Sequence, residues 1–349
     1  MSDNIQPILG TMNINYLYSS TNSNNIEVYK SIIETYLKNT GKNSIIDTAY
    51  YYGNTTTEQI LGNLLEDILQ NNSGSSGSSG SSFCMPKIAT KVNPWYENDF
   101  TNGKLGQLNN YGIINQLNTS LKNLKVENVE ILYLHCPDYE TPIEETLETC
   151  DMLWRREKFN YLGLSNFSLK QTEEIIDVNE KNGYNPVYYY QGMYNLISRK
   201  VEELFPLLKE NQIEFWAYNP LAGGLLTGKY KQFKSIDDLD KIADCSRFKN
   251  NKIYQSIFWK PEIIENVQVQ EFFELGNPKC IEYSFKWLQK YSKMSAGDKI
   301  VIGCSDVNQL TFALDVFDKN QKSVIDIMEM NSLNNLYEPF KVVSPNYWY

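Results

Sequence analysis

Apolar residues come in short, nearly unbroken runs along this chain, and the stretches between them repeat polar and apolar positions at helical spacing. The runs at residues 8–13, 44–48, 87–91, 129–135, 161–165, 187–191, 213–218 and 299–303 are rich in β-branched and aromatic residues. Such runs predict strands buried on both faces, as parallel strands are. The stretches at 26–37, 57–70, 111–124, 143–159, 169–182, 201–211, 278–291 and 307–317 put Leu, Ile or Tyr on one face and polar residues on the other, which predicts amphipathic helices. Two starts are legible: Ser168 stands before Leu169-Lys170-Gln171, and the acidic pair Glu144-Glu145 follows Pro142. Eight strands alternating with eight helices predict a parallel sheet with crossover connections. No composition shift marks a second domain. The expected fold is therefore one α/β domain over residues 1–349, a closed (β/α)8 TIM barrel.

Two segments interrupt the alternation. Residues 71–82 run Asn-Asn and then repeated Ser and Gly, a flexible insertion with nothing to bury. It joins a helix to a strand, so it is expected at the N-terminal face of the barrel. The second interruption is a long loop from 219 to 275, after the seventh strand. It leaves the C-terminal end of a strand, the face where barrel enzymes build their sites, and a connection that long is more often functional than filler. The C-terminal tail is expected over the same barrel mouth.

Composition narrows the function classes. In a chain of 349 residues, 32 basic against 42 acidic side chains give a net charge of −10, and no basic stripe is visible. Neither nucleic acid nor an anionic membrane is an expected partner. No apolar run reaches the ~18–20 residues a bilayer span needs, and the first residues lack the pattern of a signal peptide. Six cysteines are scattered without Cys-x-x-Cys spacing, and there is one histidine. Reduced thiols, a cytoplasmic location and no metal centre are expected. A small-molecule substrate is the expected partner, and a homodimer is compatible.

That single histidine, His135, ends the apolar run of the fourth strand. Asp47 and Lys91 end the second and third. In a barrel those three ends lie side by side on one rim. Five residues past Asp47 comes Tyr52, followed by the turn-former Gly53, a spacing that folds the phenol back over the mouth. The chemistry that fits is proton donation to a carbonyl oxygen. A free phenol with a pKa near ~10 is a poor acid at neutral pH. An ammonium within ~4–6 Å lowers that value by roughly 1–3 units. Asp47 would keep Lys91 charged and in place, and His135 would orient the substrate oxygen. The same four residues could serve a proton-abstracting isomerase; a bound hydride donor decides between the two.

Read as a whole, the chain resembles the aldo-keto reductase family over nearly its full length. The resemblance rests on Ile46-Asp47-Thr48-Ala49 with Tyr52-Gly53, on Ala89-Thr90-Lys91 and on Leu132-Tyr133-Leu134-His135. Further on it rests on Gly163-Leu164-Ser165-Asn166, on Tyr190-Gln191, on the segment from Ala217-Tyr218-Asn219-Pro220-Leu221 through Gly223-Gly224 to Lys229, and on Ile302-Gly303-Cys304-Ser305 with Gln309. The stretch from Tyr189 to Asn195 and the final Pro345-Asn346-Tyr347 look most like the branch that reduces aflatoxin aldehyde and succinic semialdehyde. The resemblance implies an NADPH-dependent reductase, with NADH the lesser cofactor. It implies Tyr52 as general acid, with Asp47, Lys91 and His135 completing a catalytic tetrad. Ser165, Asn166 and Gln191 match residues that hydrogen-bond the nicotinamide carboxamide, a group whose donor and acceptor suit amides and a hydroxyl. Tyr218 matches the aromatic that stacks on the ring. Asn219, Pro220, Leu221, Gly223, Gly224, Lys229, Gly303, Ser305 and Gln309 fall in the segments that match the rest of the dinucleotide site, where Gly223-Gly224 lets backbone amides approach the pyrophosphate.

The chain departs from the pattern in three places. Asp306 stands where the family commonly has a basic residue or a hydroxyl, and Thr311 and Ala313 replace an acidic residue and Asn. A carboxylate beside a 2′-phosphate is repulsive, so Arg247 or Lys229 would have to offset it. Ile257 and Tyr349 occupy positions where the succinic-semialdehyde branch carries arginines, and Asn15 replaces a glycine after the first strand. Without those arginines, and with Trp95, Phe258, Trp259, Tyr347 and Trp348 in the rim loops or tail, neutral aromatic or dicarbonyl aldehydes are the expected substrates. A nucleotide-binding regulatory barrel, like the potassium-channel β subunits of the same family, is the alternative.

Overall fold

The computed structural model describes residues 4–14, 24–72, 83–100, 103–233, 235–242, 248–249 and 251–348. Eight parallel strands close into a barrel in sequence order: β1 (Gln6–Gly10), β2 (Ile45–Asp47), β3 (Lys87–Val92), β4 (Val129–Leu134), β5 (Phe159–Ser165), β6 (Val187–Met193), β7 (Glu214–Tyr218) and β8 (Lys299–Ile302). The last strand pairs with the first, Gln6 opposite Lys299 and Leu9 opposite Ile302. Around the barrel run α1 (Asn24–Thr40), α2 (Thr57–Asn72), α3 (Asn110–Leu124), α4 (Ile143–Arg155), α5 (Leu169–Asn182) and α6 (Phe205–Glu210). The long connection after β7 contains α7 (Lys252–Phe258) and α8 (Pro261–Val269). α9 (Lys279–Lys286), α10 (Val307–Lys322) and α11 (Ile327–Asn335) follow. The expected (β/α)8 barrel is the observed one.

Two hydrophobic layers hold it. The larger lies between strands and helices and takes in Leu61, Leu65, Leu117, Leu132 and Leu164, all buried. The smaller fills the barrel interior with Ile8, Ala89, Ile131, Tyr133, Trp216 and Val301, with Ile45, Tyr161 and Tyr189 packed on it. Aromatic rings dominate this interior; Tyr189 and Trp216 lie 5.4 Å apart, Tyr133 and Trp216 5.9 Å. Gly163 makes the room, because a Cβ there would stand 2.4 Å from the Tyr133 ring.

Several expected boundaries move. β1 starts at Gln6 and stops at Gly10, earlier than the run 8–13 suggests, because the chain turns after Thr11, whose carbonyl accepts the Ile14 N–H. The helix expected over 143–159 ends at Arg155. Glu157 takes a left-handed φ of 56°, and Phe159 already opens β5. The stretch 201–211 divides into a tight turn, Lys200–Leu204, and α6, and 278–291 relaxes from α9 into a wider turn at Trp287–Tyr291. Ser168 caps α5 in a reciprocal box with Gln171, as the sequence indicates. Of the Ser/Gly insertion, residues 73–82 lie outside the described residues, as do Asn15, Arg247 and Tyr349. Among the described residues no helix is long and apolar enough to cross a membrane.

Candidate active site

Strand periodicity builds the site. Side chains on the inward face recur every second residue, so the position two beyond each interior residue also points inward, nearer the C-terminal rim. At that spacing Ile45 leads to Asp47, Ala89 to Lys91, Tyr133 to His135, Gly163 to Ser165, Tyr189 to Gln191 and Trp216 to Tyr218. Six residues scattered over the sequence therefore share one rim.

Lys91 donates to both carboxylate oxygens of Asp47, at 2.7 and 2.8 Å, and to the Thr48 carbonyl at 2.8 Å. Lys91 is 1% exposed and Asp47 2%, so this is a buried ion pair with its ammonium hydrogen bonds filled. Burial lowers the Lys91 pKa, and the Asp47 carboxylate opposes that fall. Asp47 is itself braced. Gln191 Nε2 donates to its Oδ1 at 2.8 Å, and Thr11 reaches its carbonyl through both backbone N–H and hydroxyl.

Past Asp47 the chain stays attached to β3, with Thr48 N–H on the Ala89 carbonyl and Tyr50 N–H on the Lys91 carbonyl. It then reverses through Gly53, Asn54 and Thr55, all left-handed, with φ of 62°, 51° and 73°. This turn brings the Tyr52 ring back over the pair. The Lys91 ammonium is 5.2 Å from its centroid, and the His135 ring centroid is 5.9 Å away. His135 is fixed by its N–H on the Val92 carbonyl and by Asn166 Nδ2 on its own carbonyl. Burial first, and the Lys91 charge second, hold the imidazole well below its usual pKa, so it is neutral at pH 7. Its Nδ1 is buried without a hydrogen-bond partner. The four residues singled out in the sequence thus meet at one point.

An aromatic wall flanks them. Trp95 lies 5.3 Å from the His135 ring, Tyr51 lies 4.7 Å from Trp95, and Phe100 packs on the same indole at 5.1 Å. Tyr51 and Phe100 were not legible as site residues. Phe258 and Trp259 lie in the rim loop after β7, as expected, but pack in its own core with Tyr230, Phe248 and Tyr254, because that loop needs a core of its own. Tyr347 is buried and donates to Glu203.

Ser165, Asn166 and Tyr218 form a second group beside His135. Asn166, at φ 63°, donates to Ser165 Oγ at 3.0 Å and accepts the Tyr218 hydroxyl at 2.7 Å. Asn219, at φ 55°, accepts from Asn195 on its carbonyl and from Tyr254 on its side chain. Pro220 is buried, and the Leu221 carbonyl accepts from Gly224 and Leu226. Gly223 and Gly224 follow with φ of 66° and 105°. A Cβ on Gly223 would come 2.9 Å from Tyr254. Lys229 is exposed, its ammonium 4.8 Å from the Tyr230 ring. After β8, Gly303 and Ser305 are exposed, and Ser305 and Gln309 bond each other twice. Asp306 is the N-cap of α10, its carboxylate accepting the Gln309 N–H at 2.9 Å. Among the described residues no cluster could hold a metal ion.

The aldo/keto reductase family model matches residues 8–338. Aflatoxin B1 aldehyde reductase member 4 of Homo sapiens is 35% identical over 316 residues, 87% of this chain and 87% of that protein. Aflatoxin B1 aldehyde reductase member 2 of Mus musculus is 38% identical over 278 residues, 76% of this chain and 70% of its own. Aldo-keto reductase family 7 member A3 of Homo sapiens is 36% identical over 276 residues, 76% of each. With the closed barrel and the rim already described, these matches settle the identity at family level: the chain belongs to the aldo/keto reductases, oxidoreductases that act on carbonyl groups.

Proposed function

We propose that this chain reduces aldehydes and ketones to alcohols with NADPH, and that Tyr52 donates the proton. The observation that carries the reading is the buried Lys91–Asp47 pair beneath the Tyr52 ring. An ammonium that cannot reach solvent stabilises the phenolate left behind when Tyr52 gives up its proton, and Asp47 keeps that ammonium charged. His135, neutral and anchored at both backbone groups, donates from the nitrogen opposite the buried Nδ1 and fixes the substrate oxygen between itself and the phenol. The Trp95 and Tyr51 rings offer an apolar wall on which a planar substrate stacks, which favours neutral aromatic and dicarbonyl aldehydes.

The rim also suits a nicotinamide dinucleotide. The left-handed Gly223 and Gly224 form a backbone cradle that a side chain would fill, next to the Lys229 ammonium. Ser165 and Asn166 present a hydroxyl and an amide at the ends of adjacent rim positions, and the Tyr218 ring lies against them. When bound, the cofactor supplies the hydride. The tail, tied by Tyr347 to Glu203 and by Asn346 to Lys200, is proposed to border the same mouth. NADPH oxidation measured against a panel of aldehydes, with and without a carboxylate, tests the reading. Turnover of a neutral aromatic aldehyde with higher kcat/KM than succinic semialdehyde is expected. NADPH binding without turnover of any aldehyde would favour a regulatory nucleotide-binding barrel instead.

A further inference from the structure

On the helix side of β3, behind Lys91, lies a carboxyl that the proposed reaction does not use. Glu58 stands in the first turn of α2 and is 0% exposed. It shares the inward face of that helix with the buried Leu61, Leu65 and Ile68, so an acid occupies a position that helical spacing assigns to an apolar residue. Its Oε1 accepts the Thr90 hydroxyl at 2.5 Å, and its Oε2 is buried with no hydrogen-bond partner. Thr90 and Lys91 are consecutive in β3, so their side chains leave opposite faces, Thr90 toward α2 and Lys91 into the barrel. Six residues before Glu58 is Tyr52, whose carbonyl accepts the N–H groups of Thr55 and Thr57 in the turn that starts α2. One side chain thus ties the Tyr52 turn to the strand that carries Lys91.

We infer that Glu58 is a positioning residue for the Tyr52–Lys91 pair: its bond to Thr90 locks the two together, and its charge sets how readily Tyr52 ionises. The inference rests on Tyr52 being the proton donor of the proposed reaction. The charge that acts on Glu58 from the neighbouring strand is the Lys91 ammonium on the far face of β3, and α3 presents the uncharged Ser120. Tyr52 in turn faces Lys91, paired with Asp47, and the neutral His135; the Tyr133 phenol lies under Lys91. Burial pushes the Glu58 carboxyl up to about 7, against the pull of Thr90, Ser120 and Lys91. It therefore gains its negative charge as pH rises through neutrality. Lys91 is held charged by its bonds to Asp47 and Thr48 whatever the state of Glu58, so the negative charge on Glu58 acts by opposing a second one on Tyr52, and ionised Glu58 keeps Tyr52 protonated to higher pH.

The test reads Tyr52 without substrate or cofactor. Phenolate absorbance is titrated in the wild type and in Tyr52→Phe, and the difference isolates Tyr52. The same subtraction is then made in a Glu58→Gln background, which keeps an acceptor for Thr90 and removes the charge. Tyr52 is expected to ionise roughly half a unit to one unit lower in the Gln background, and the alkaline limb of carbonyl reduction should move with it. Glu58→Asp should return the titration toward the wild-type position. An unmoved titration overturns the inference, whatever happens to Tm, because a merely structural glutamate would lower Tm and leave Tyr52 where it was. A moved titration in a protein that reduces no carbonyl would instead overturn the proposed reaction. Should Glu58→Gln not fold, Glu58→Met with Thr90→Val replaces both partners by apolar groups of similar shape; the same downward shift is expected, and its absence is equally fatal.

Discussion

Around the rim, β2 and β3 present side-chain charge and β4 a neutral imidazole, whereas the segments after β7 and β8 present mainly backbone. Lys91 and Asp47 are sealed from solvent and fully bonded to each other. Lys229, Ser305 and Gln309 are exposed, and the turn after β7 is a run of left-handed residues at Asn219, Ala222, Gly223 and Gly224. Under the proposed function the two regions answer different demands. Tuning a phenol needs a charge that water cannot screen and a geometry that cannot relax. Holding a dinucleotide needs amides that its phosphates can approach, and so an open turn that side chains do not fill. If this division is real, substitutions in the first region should act on the chemical step and those in the second on cofactor affinity.

Tyr52→Phe gives the largest separation. Carbonyl reduction should fall by roughly 10²–10⁴-fold, the usual worth of a placed acid, while NADPH affinity changes by less than about twofold, since the proton moves only in the transition state. Wild-type turnover in the variant would remove Tyr52 from the role. Lys91→Met should impair turnover comparably and also lower Tm. It strands the Asp47 carboxylate inside the barrel, and breaking a buried pair from one side costs about 3–5 kcal/mol. Lys91→Met with Asp47→Asn should recover much of that Tm and none of the activity, a contrast that thermal melts and assays of the three proteins will read.

Gly223→Val probes the other region. Its left-handed backbone is unfavourable for a branched residue by roughly 1–2 kcal/mol, and the new Cβ would stand 2.9 Å from Tyr254. The NADPH dissociation constant should rise by about tenfold, with kcat at saturating cofactor little changed. Equal losses in both quantities would show that the two regions are not separable.

The first region was the more legible in the sequence, for a physical reason. Asp47, Lys91 and His135 interrupt apolar runs, and a charge at a buried strand end is visible against its neighbours. Tyr52 could be added because Gly53 marks a turn. Glu58 was equally open to notice, three residues before the inward Leu61, but a helix start rich in Thr and Glu reads as a solvated end. Tyr51 and Phe100 were hidden because aromatic side chains are also ordinary core residues. In the second region the sequence indicated a long functional loop but not α7 or α8; the α7 aromatics Tyr254 and Phe258 pack on each other, and Trp259 just beyond packs on Tyr230 and Phe248. α11 went unread because Val324, Ile325, Ile327 and Met328 are exposed, so no buried stripe marks the start of that helix. The start of β1 was concealed by Gln6 and Pro7, which pair with β8 through backbone alone.

A smaller effect, on stability and not on rate, tests the seclusion of the first region. The folded imidazole of His135 has a pKa well below the 6.5 of the unfolded chain. As pH falls through 6.5 the unfolded state takes up a proton that the folded state refuses, so the stability present above 6.5 is lost below it, at up to about 1.4 kcal/mol per unit. Glu58 has the opposite sign. Its folded value near 7 exceeds the unfolded 4.5, so folding gains as pH drops through that window. Comparing wild type with His135→Asn cancels Glu58. The Tm of the wild type should decline relative to the variant between about pH 7 and pH 5, and parallel curves would mean that His135 titrates normally.

Asp306 carries the finest distinction between the two regions, because it is, with Lys229, a charge in a part of the rim that offers mainly backbone. Its carboxylate accepts the Gln309 N–H at the start of α10, a helix cap for which either Asp or Asn serves. Replacement by Lys would remove the cap and reverse the charge together, and the two consequences would be confounded. Asp306→Asn keeps the acceptor and removes only the charge. If the carboxylate also faces the 2′-phosphate of NADPH, the Asn variant should bind NADPH a few-fold more tightly, about 1 kcal/mol or less across solvent at this exposed position. NADH affinity should not change, and the NADPH gain should shrink as salt is raised. Equal NADPH affinity in the two proteins would assign the charge to the helix end alone. The proposed dinucleotide site would then draw no charge from Asp306.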